Sequence, residues 1–437
     1  MAYGGGLYDL QNKKLPGVYY KLRTLSGAFS NADELGVVAA PLDLDWGETN
    51  KVFEVTSDDF YRNSFKYFGY NPNASQLTFL RDLFKNAQKL IAYRLAGGVA
   101  ATCKYGTAVC PGVRGNALRV NIAISENKYV IKILLDNTVV NSQTADLNAT
   151  TDDLVANDFV RWADNVELSE ETVPLTGGSN TAAAAQDYET ALNNLISYSF
   201  NILTTDATDR TVKKLFVDFT NLQRERYGKY FQCILSNYTA DSDYEGVISV
   251  ENSESGSDTK QDNQIVFWLA GAAASCPLDK SLANLKYTGE STVMSAWAQS
   301  QLENVQDRGA FVFHKHAGEV VTFLDINTLK TYDDLKTKIY SFNEAVRLRD
   351  RLLTAVSNRF TNFYLGRVKN DEKGRTSLWS DIVTIIQDYS DKGAVVDFKP
   401  NEDVIVQPGE KKEDVVALLD LAVSFAMQRL YIPILIN

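Results

Sequence analysis

The chain has 437 residues, 45% of them hydrophobic and 23% charged, with a formal net charge of −11. That composition excludes wholesale disorder and a fibrous repeat, and the length exceeds what one hydrophobic core serves, so several domains are expected. The acid excess excludes general affinity for nucleic acid, which needs Lys and Arg clustered on an exposed face.

Residues 1–30 read as an arm. The start, "MAYGGGLYDLQNKK", has no basic segment followed by an apolar one, so no signal peptide is expected. Pro16 and Gly17 set a turn, after which Val18, Tyr20 and Leu22 alternate with Tyr19, Lys21 and Arg23 in the period of a strand. Over 31–97, "ELGVVAAPLDLDWGE" predicts a strand and loop. "SQLTFLRDLFKNAQKLIAYRL" predicts one helix, with Leu77, Leu80, Phe84, Ala87 and Ile91 on a single face.

Over 98–176 the texture is that of a small β domain. Leu118, Val120, Ile122 and Ile124 alternate, "KYVIKILLD" and "TVVNSQT" follow between turn residues, and one short helix is expected near Asp153 to Ala163. "LTGGSNTAAAA" marks a linker. Over 177–325 helical patterns (Tyr188, Ala191, Leu192, Leu195; Val212, Leu215, Phe216, Phe219) alternate with strand-like stretches, which implies an α/β layer domain.

The segment 326–421 opens on a long helix lined by Phe342, Val346, Leu353, Val356, Phe360 and Phe363. A second helix is lined by Leu378, Ile382, Ile385 and Tyr389 and ended by Gly393, before strands in "AVVDFKP" and "DVIVQP". The longest apolar run, Val415 to Met427, is interrupted by Asp420, so no membrane span is expected.

Chemistry is sparse. The four cysteines form no Cys-x-x-Cys unit; Cys103 and Cys110 are a redox pair or, the favoured reading, small buried or half-buried thiols. The two histidines, His314 and His316, share one face of a strand, where Glu319 could join them around a metal, but two imidazoles do not make a site, and a polar strand face is favoured. A hydrolytic triad would need one of these histidines with a serine such as Ser275, and no Gly-x-Ser-x-Gly elbow occurs. Gly228-Lys229 is followed by Tyr230 where a phosphate loop needs Ser or Thr, and "RERYGK" reads as a helix C-terminus with basic residues at its negative end. No catalytic, cofactor-binding or metal residue is therefore assigned.

Two features remain. From Thr331 to Arg375 ten basic residues face six acidic ones, a net of +4 in an acidic chain. That is a solvated helix face or a docking surface for an acidic partner, with Arg347 and Arg351 one turn apart on the same side. The chain ends on "LYIPILIN", which has no charge: Leu430, Ile432, Ile434 and Ile436 lie on one side and Tyr431 and Leu435 on the other, with Pro433 blocking one ladder donor. Natural edge strands are blunted by charge, whereas this one is built to be paired, within its own domain or with a neighbouring copy.

"KKLPGVYY", "LDLDWGE", "PGVRGNALRV", "LTGGSN" before "DYETAL", "DINTL", "FYLGRVKNDEKGR" and the terminal "MQRLYIPILIN" occur in order over nearly the whole chain. Together they resemble the contractile-tail sheath proteins of bacteriophages, in the form common in phages of Gram-positive bacteria and shared by R-type bacteriocins; the chain departs from the family at Glu48, where Pro often follows Trp-Gly. The resemblance implies an α+β and α/β multidomain chain: a β-sandwich, an α/β domain like subtilisin without its catalysis, and a C-terminal α+β domain beside an inner tube at 326–421. It implies exchanged terminal strands at Val18 to Leu22 (Val18, Tyr19, Tyr20, Lys21, Leu22) and at Leu430 to Ile436, the latter on an arm over 422–437. Arg347, Arg351, Lys369, Lys373 and Arg375 become candidate tube-facing residues. The implied protein is not an enzyme and needs no cofactor. It is a virion tail component, synthesised in the bacterial host cytoplasm, whose partners are copies of itself in stacked hexameric rings, the tube protein, and baseplate and tail-terminator proteins, with no nucleic acid and no direct membrane insertion. The reading from a different class is a hydrolase or metal enzyme using His314 or His316.

Overall fold

The computed structural model describes residues 4–7, 17–20, 35–252, 259–334 and 336–435. The chain forms two compact units, one from residues 39–84 and 88–199, the other from 1–38, 85–87 and 200–437. The fold is mixed α/β with several sheets.

In the first unit, strand Val52–Thr56 leads directly into helix Ser57–Phe68. Thr56 caps that helix, its hydroxyl accepting from the Asp59 amide at 3.1 Å, and Gly69 ends it in the left-handed region at φ 73°. The single helix expected through Ile91 is corrected. Helix Thr78–Phe84 stops, and Lys89–Arg94 is a strand paired antiparallel with Val52–Thr56. Five of its six residues are buried, and a short run buried on both faces has no period that separates helix from strand.

The β region of this unit has two sheets around one core. The larger orders strands Thr138–Asp146, Lys128–Leu135, Leu118–Ser125 and Glu171–Pro174; the smaller orders Val160–Trp162, Gly106–Ala108 and Thr102–Cys103. Leu118, Val120 and Ile122, with Ile131 and Ile133, turn inward onto Tyr105, Phe159 and Val160. The short helix expected near Asp153 to Ala163 is absent from this region, which has one 3-10 turn at Thr151–Asp153 and then the strand Val160–Trp162. The cause is local: the Asn157 side chain accepts the amides of Phe159 (2.9 Å) and Val160 (2.8 Å), offering the backbone a turn in place of a helix.

In the second unit, strands Ile202–Thr204, Gln232–Ser236 and Val247–Val250 run parallel. Helix Arg210–Tyr227 ends on Gly228 (φ 65°), as "RERYGK" implied. Helix Ile265–Ser275 is apolar on every side and accordingly buried along nearly its whole length. Phe313–His316 and Glu319–Thr322 form a hairpin whose turn residues Ala317 and Gly318 both have positive φ, the backbone twist that joins right-twisted strands tightly.

The C-terminal region has the two expected helices, Asn343–Arg359, which runs into a π turn at Phe360–Tyr364, and Glu372–Asp391. Leu378, Ile382, Ile385, Ile386 and Tyr389 pack with Leu348, Leu352 and Val404 in one core. Beyond it lie a two-residue ladder, Val395–Val396 with Ala422–Val423, and a hairpin, Val404–Pro408 with Val415–Leu419. Among the described residues no helix is long and apolar enough to cross a membrane.

Candidate functional site

The sequence motifs are mostly structural fasteners. Arg94, fully buried, has no acid partner among its hydrogen bonds; it donates to the carbonyls of Leu44 (2.9 Å), Gly47 (2.9 Å) and Pro111 (2.7 Å), which lie in "LDLDWGE" and at the head of "PGVRGNALRV". Gly112 at φ 129° is required there, because a Cβ would meet the Asp45 carbonyl at 2.2 Å. In "DINTL", Asp325 accepts from the Leu282 amide (2.9 Å), Asn343 (2.8 Å) and Arg347 (2.6 Å). In "FYLGRVKNDEKGR", Asp371 caps its helix through the Gly374 amide at 2.8 Å, and the Tyr364 hydroxyl donates to Asp381.

Sequence reasoning missed a buried ionic network. Arg224 grips Asp350 with two hydrogen bonds (2.6 and 2.8 Å), and Arg349 bonds Asp350 and Glu245, each at 3.1 Å. Lys336 reaches the other Glu245 oxygen at 3.0 Å. Burial alone would raise the Glu245 pKa, but Arg349 and Lys336 outweigh it and hold the carboxyl at about 2. In the sequence these residues read as ordinary charges, because nothing in their spacing reveals that the helix carrying Arg349 and Asp350 is covered on that side.

This burial corrects one expectation. Arg347 is only 7% exposed and its guanidinium is bound to Asp325, so it offers nothing to a docking partner. Arg351 is half-buried and donates to the Cys276 carbonyl at 2.8 Å. Lys369 and Lys373 are exposed, and Arg375 is partly covered, donating to Asn370 Oδ1 at 3.0 Å. Lys369 thus precedes the helix Glu372–Asp391 and Lys373 and Arg375 lie in its first turn, while Arg347 and Arg351 belong to the packed helix Asn343–Arg359.

The terminal arm has a different character. Leu430 is 83% exposed, Ile432 68%, Ile434 77% and Leu435 92%; Tyr431 and Pro433 are exposed too, and no strand is formed from Ser424 to Leu435. Ile436 lies outside the described residues. The arm thus keeps six apolar or aromatic side chains in solvent and makes no ladder at home. At the other end, Gly17–Tyr20, which holds Val18, Tyr19 and Tyr20, pairs in parallel with Gly4–Leu7; Lys21 and Leu22 lie outside the described residues.

A second feature that sequence did not single out is the hairpin Val404–Pro408 with Val415–Leu419. It is a two-stranded sheet, and among the described residues neither outer edge is paired. The cross-strand partners Ile405 and Leu418 are both about half exposed. The signal was divided in the sequence, since "DVIVQP" was recognised as a strand while its partner lay inside the longer apolar run from Val415.

The residues of the enzymatic reading lie on one hairpin, apart from Ser275. His314 and His316 lie on one strand with ring centroids 6.2 Å apart, and Glu319, opposite His316 in register, is taken by Lys286. Burial and then His316 lower the His314 pKa. Ser275 donates to the Asn86 carbonyl at 2.7 Å. All four cysteines are free thiols, three buried and Cys103 half-buried; burial pushes Cys110 up to about 11, against the electropositive, accessible setting that a reactive thiol needs.

Buried fastening loops, an apolar arm left in solvent and a hairpin whose edges are unpaired among the described residues are the features that set this chain apart. The models of the phage tail sheath central domain (residues 181–328), the phage tail sheath C-terminal domain (335–437) and the domain III N-terminal region of the tail sheath protein Gp18 (36–95) all match this chain. The phage-like element PBSX protein XkdK of Bacillus subtilis (strain 168) is 26% identical, with 99% of this chain and 100% of that protein covered. A sheath tail protein structure from Desulfitobacterium hafniense superposes with a TM-score of 0.78 at 28% identity, covering 94% of this chain and 99% of that one. A sheath tail protein from Listeria innocua has the same fold, with a TM-score of 0.74 at 23% identity over 90% of this chain and 93% of its own. The chain belongs to the phage tail sheath family, a family of structural proteins, and is a tail sheath protein of a contractile phage or injection system.

Proposed function

We propose that this chain is the repeating, non-enzymatic subunit of a sheath that stacks as six-membered rings around an inner tube, and that it shortens and widens on a baseplate trigger to drive the tube through a bacterial envelope. The observation that carries the reading is the combination, among the described residues, of an unpaired apolar arm at Leu430 to Leu435 with a hairpin at Val404 to Leu419 whose outer edges are unpaired. A strand added to an open edge gains main-chain hydrogen bonds worth about 0.5–1.5 kcal/mol each, so a six-residue addition supplies several kcal/mol before side chains are buried. In this reading each arm serves a neighbouring copy and each hairpin receives one.

In this reading, Leu430 to Ile436 and Val18 to Leu22 are exchanged strands that persist between two lattice packings, while polar contacts elsewhere turn over. The N-terminal end of helix Glu372–Asp391, with Lys369 just before it and Lys373 and Arg375 in its first turn, faces the tube. The divisions at 1–30, 31–97, 98–176, 177–325, 326–421 and 422–437, with a subtilisin-like layer in the fourth, describe the same architecture. Partners are further copies of the chain, the tube protein and the baseplate and terminator proteins. Neither nucleic acid nor direct membrane insertion is involved, and synthesis takes place in the host cytoplasm. Capsid and terminase genes beside the coding sequence would assign it to a phage, and their absence to a headless injection device.

Sedimentation velocity of the purified chain tests the proposal. Polymers far larger than a hexamer are expected. A discrete monomer or small oligomer at every concentration and salt, with a hydrolytic or metal-dependent activity that is lost in H314A/H316A, would replace it with the enzymatic reading.

A further inference from the structure

The C-terminal arm leaves the body at a defined point. Val423 pairs with Val395, the Ser424 amide donates to the Ala394 carbonyl at 3.0 Å, and the Phe425 ring meets Phe342 edge-on at 5.6 Å. The Ala426 amide then donates to Glu344 Oε1 at 3.3 Å, and Met427 is fully exposed. Among the described residues Ala426 is therefore the last held by a hydrogen bond, and its acceptor is a side chain.

That side chain is an uneconomical choice for a static anchor. Glu344 is only 6% exposed, and its other oxygen, Oε2, is buried without a hydrogen-bond partner. Arg347, one turn further along the same helix, commits its Nη2 to Asp325. A buried ion is strongly disfavoured unless paired and fully hydrogen-bonded, and a glutamine would accept the same amide without the charge. What a carboxylate adds is a bond that is stronger while ionised and weaker once protonated.

We propose that Glu344 is a positioning residue that latches the root of the C-terminal arm through the Ala426 amide, and that the latch opens as Glu344 takes up a proton. The inference rests on the reading of the arm as a donated strand, for which the latch fixes the point and direction of departure. The groups around Glu344 are Asp325 and the Cys276 thiol, Arg347 from its own helix, Ser281, and the Ala426 amide. Burial, with Asp325 behind it, raises the Glu344 pKa against the opposing pull of the Ala426 amide, Arg347 and Ser281. A carboxyl raised on folding supports stability below its unfolded value and loses that support as pH rises through the folded value, so at neutral pH the charge opposes folding. E344Q should accordingly raise Tm at pH 7, with the gain vanishing in acid.

Hydrogen exchange of the full chain, followed by mass spectrometry over residues 422–430 and referenced to the intrinsic rate at each pH, tests the latch. Wild type should lose protection at Ala426 several-fold as the pH is lowered from 7.5 to below the ordinary carboxyl value of 4.5. E344Q should be flat with pH, and E344A should exchange faster throughout, by about tenfold for one lost hydrogen bond. Unchanged exchange in E344A, or a pH response that survives in E344Q, would overturn the proposal. In electron micrographs, irregular or shortened E344A tubes beside regular wild-type tubes would support the latch in assembly; indistinguishable tubes would overturn that role. If wild type forms no tubes, the donated-strand reading falls, while the exchange data still decide whether Glu344 holds Ala426.

Discussion

Asp350 occupies the centre of the buried network, accepting from Arg224 and Arg349 while 6% exposed. Removing one partner of a buried pair leaves the other charge unsatisfied, a cost of about 3–5 kcal/mol, so D350A should lower stability by that order in urea unfolding monitored by fluorescence. The double change R224M/D350L should recover most of the loss, since two apolar groups of similar volume strand no charge. Glu245 carries the pH dependence. Its folded pKa of about 2 lies below the ordinary value of 4.5, so its support is present above pH 4.5 and disappears as pH falls toward 2. Wild type should lose stability over that window, and E245Q, already destabilised at pH 7, should show a shallower decline. None of this was legible in the sequence, where Arg347 and Asp350 are indistinguishable from charges on a wet helix face. Burial on that face is set by residues some 100 positions away, such as Glu245, which local spacing cannot report.

At the scale of elements, legibility followed periodicity. The faces containing Leu192 and Leu195, Phe216 and Phe219, and Ile382 and Ile385 were recognised because each helix buries one stripe and wets the other. Lys89–Arg94 was misassigned because it is buried on both sides, and the segment after Asp153 because Asn157 diverts the backbone. The same packing yields a prediction: Ile386 is fully buried between the C-terminal elements, and I386A should cost about 2–5 kcal/mol, read as a fall in the denaturant midpoint. The hairpin behaves oppositely. Ile405 and Leu418 are half exposed, so I405K/L418K should leave Tm within a few degrees of wild type yet reduce polymer formation in light scattering, if this face receives a strand. A large fall in Tm would mean the face is already packed in the single chain.

For the whole molecule, the candidate site was partly legible because it is a departure from ordinary surface design. An uncharged eight-residue terminus in a chain of net charge −11 is visible in the letters alone, and the structure leaves the described part of that terminus in solvent. The edge of the hairpin Val404–Leu419, unpaired among the described residues, was not legible, since an unpaired edge is a property of a sheet and a sequence displays only strands. The proposed function joins these pieces, since a sheath that changes its packing would need links between copies that survive the change. In that reading terminal strands would provide such links, where side-chain contacts between rigid faces would not.

The most direct test of that account is negative-stain electron microscopy of the purified full chain beside a chain stopped after Arg429. The account predicts tubes from the full chain and only dispersed particles from the shortened one, with both chains folded by circular dichroism. Tubes of equal order from both would contradict it.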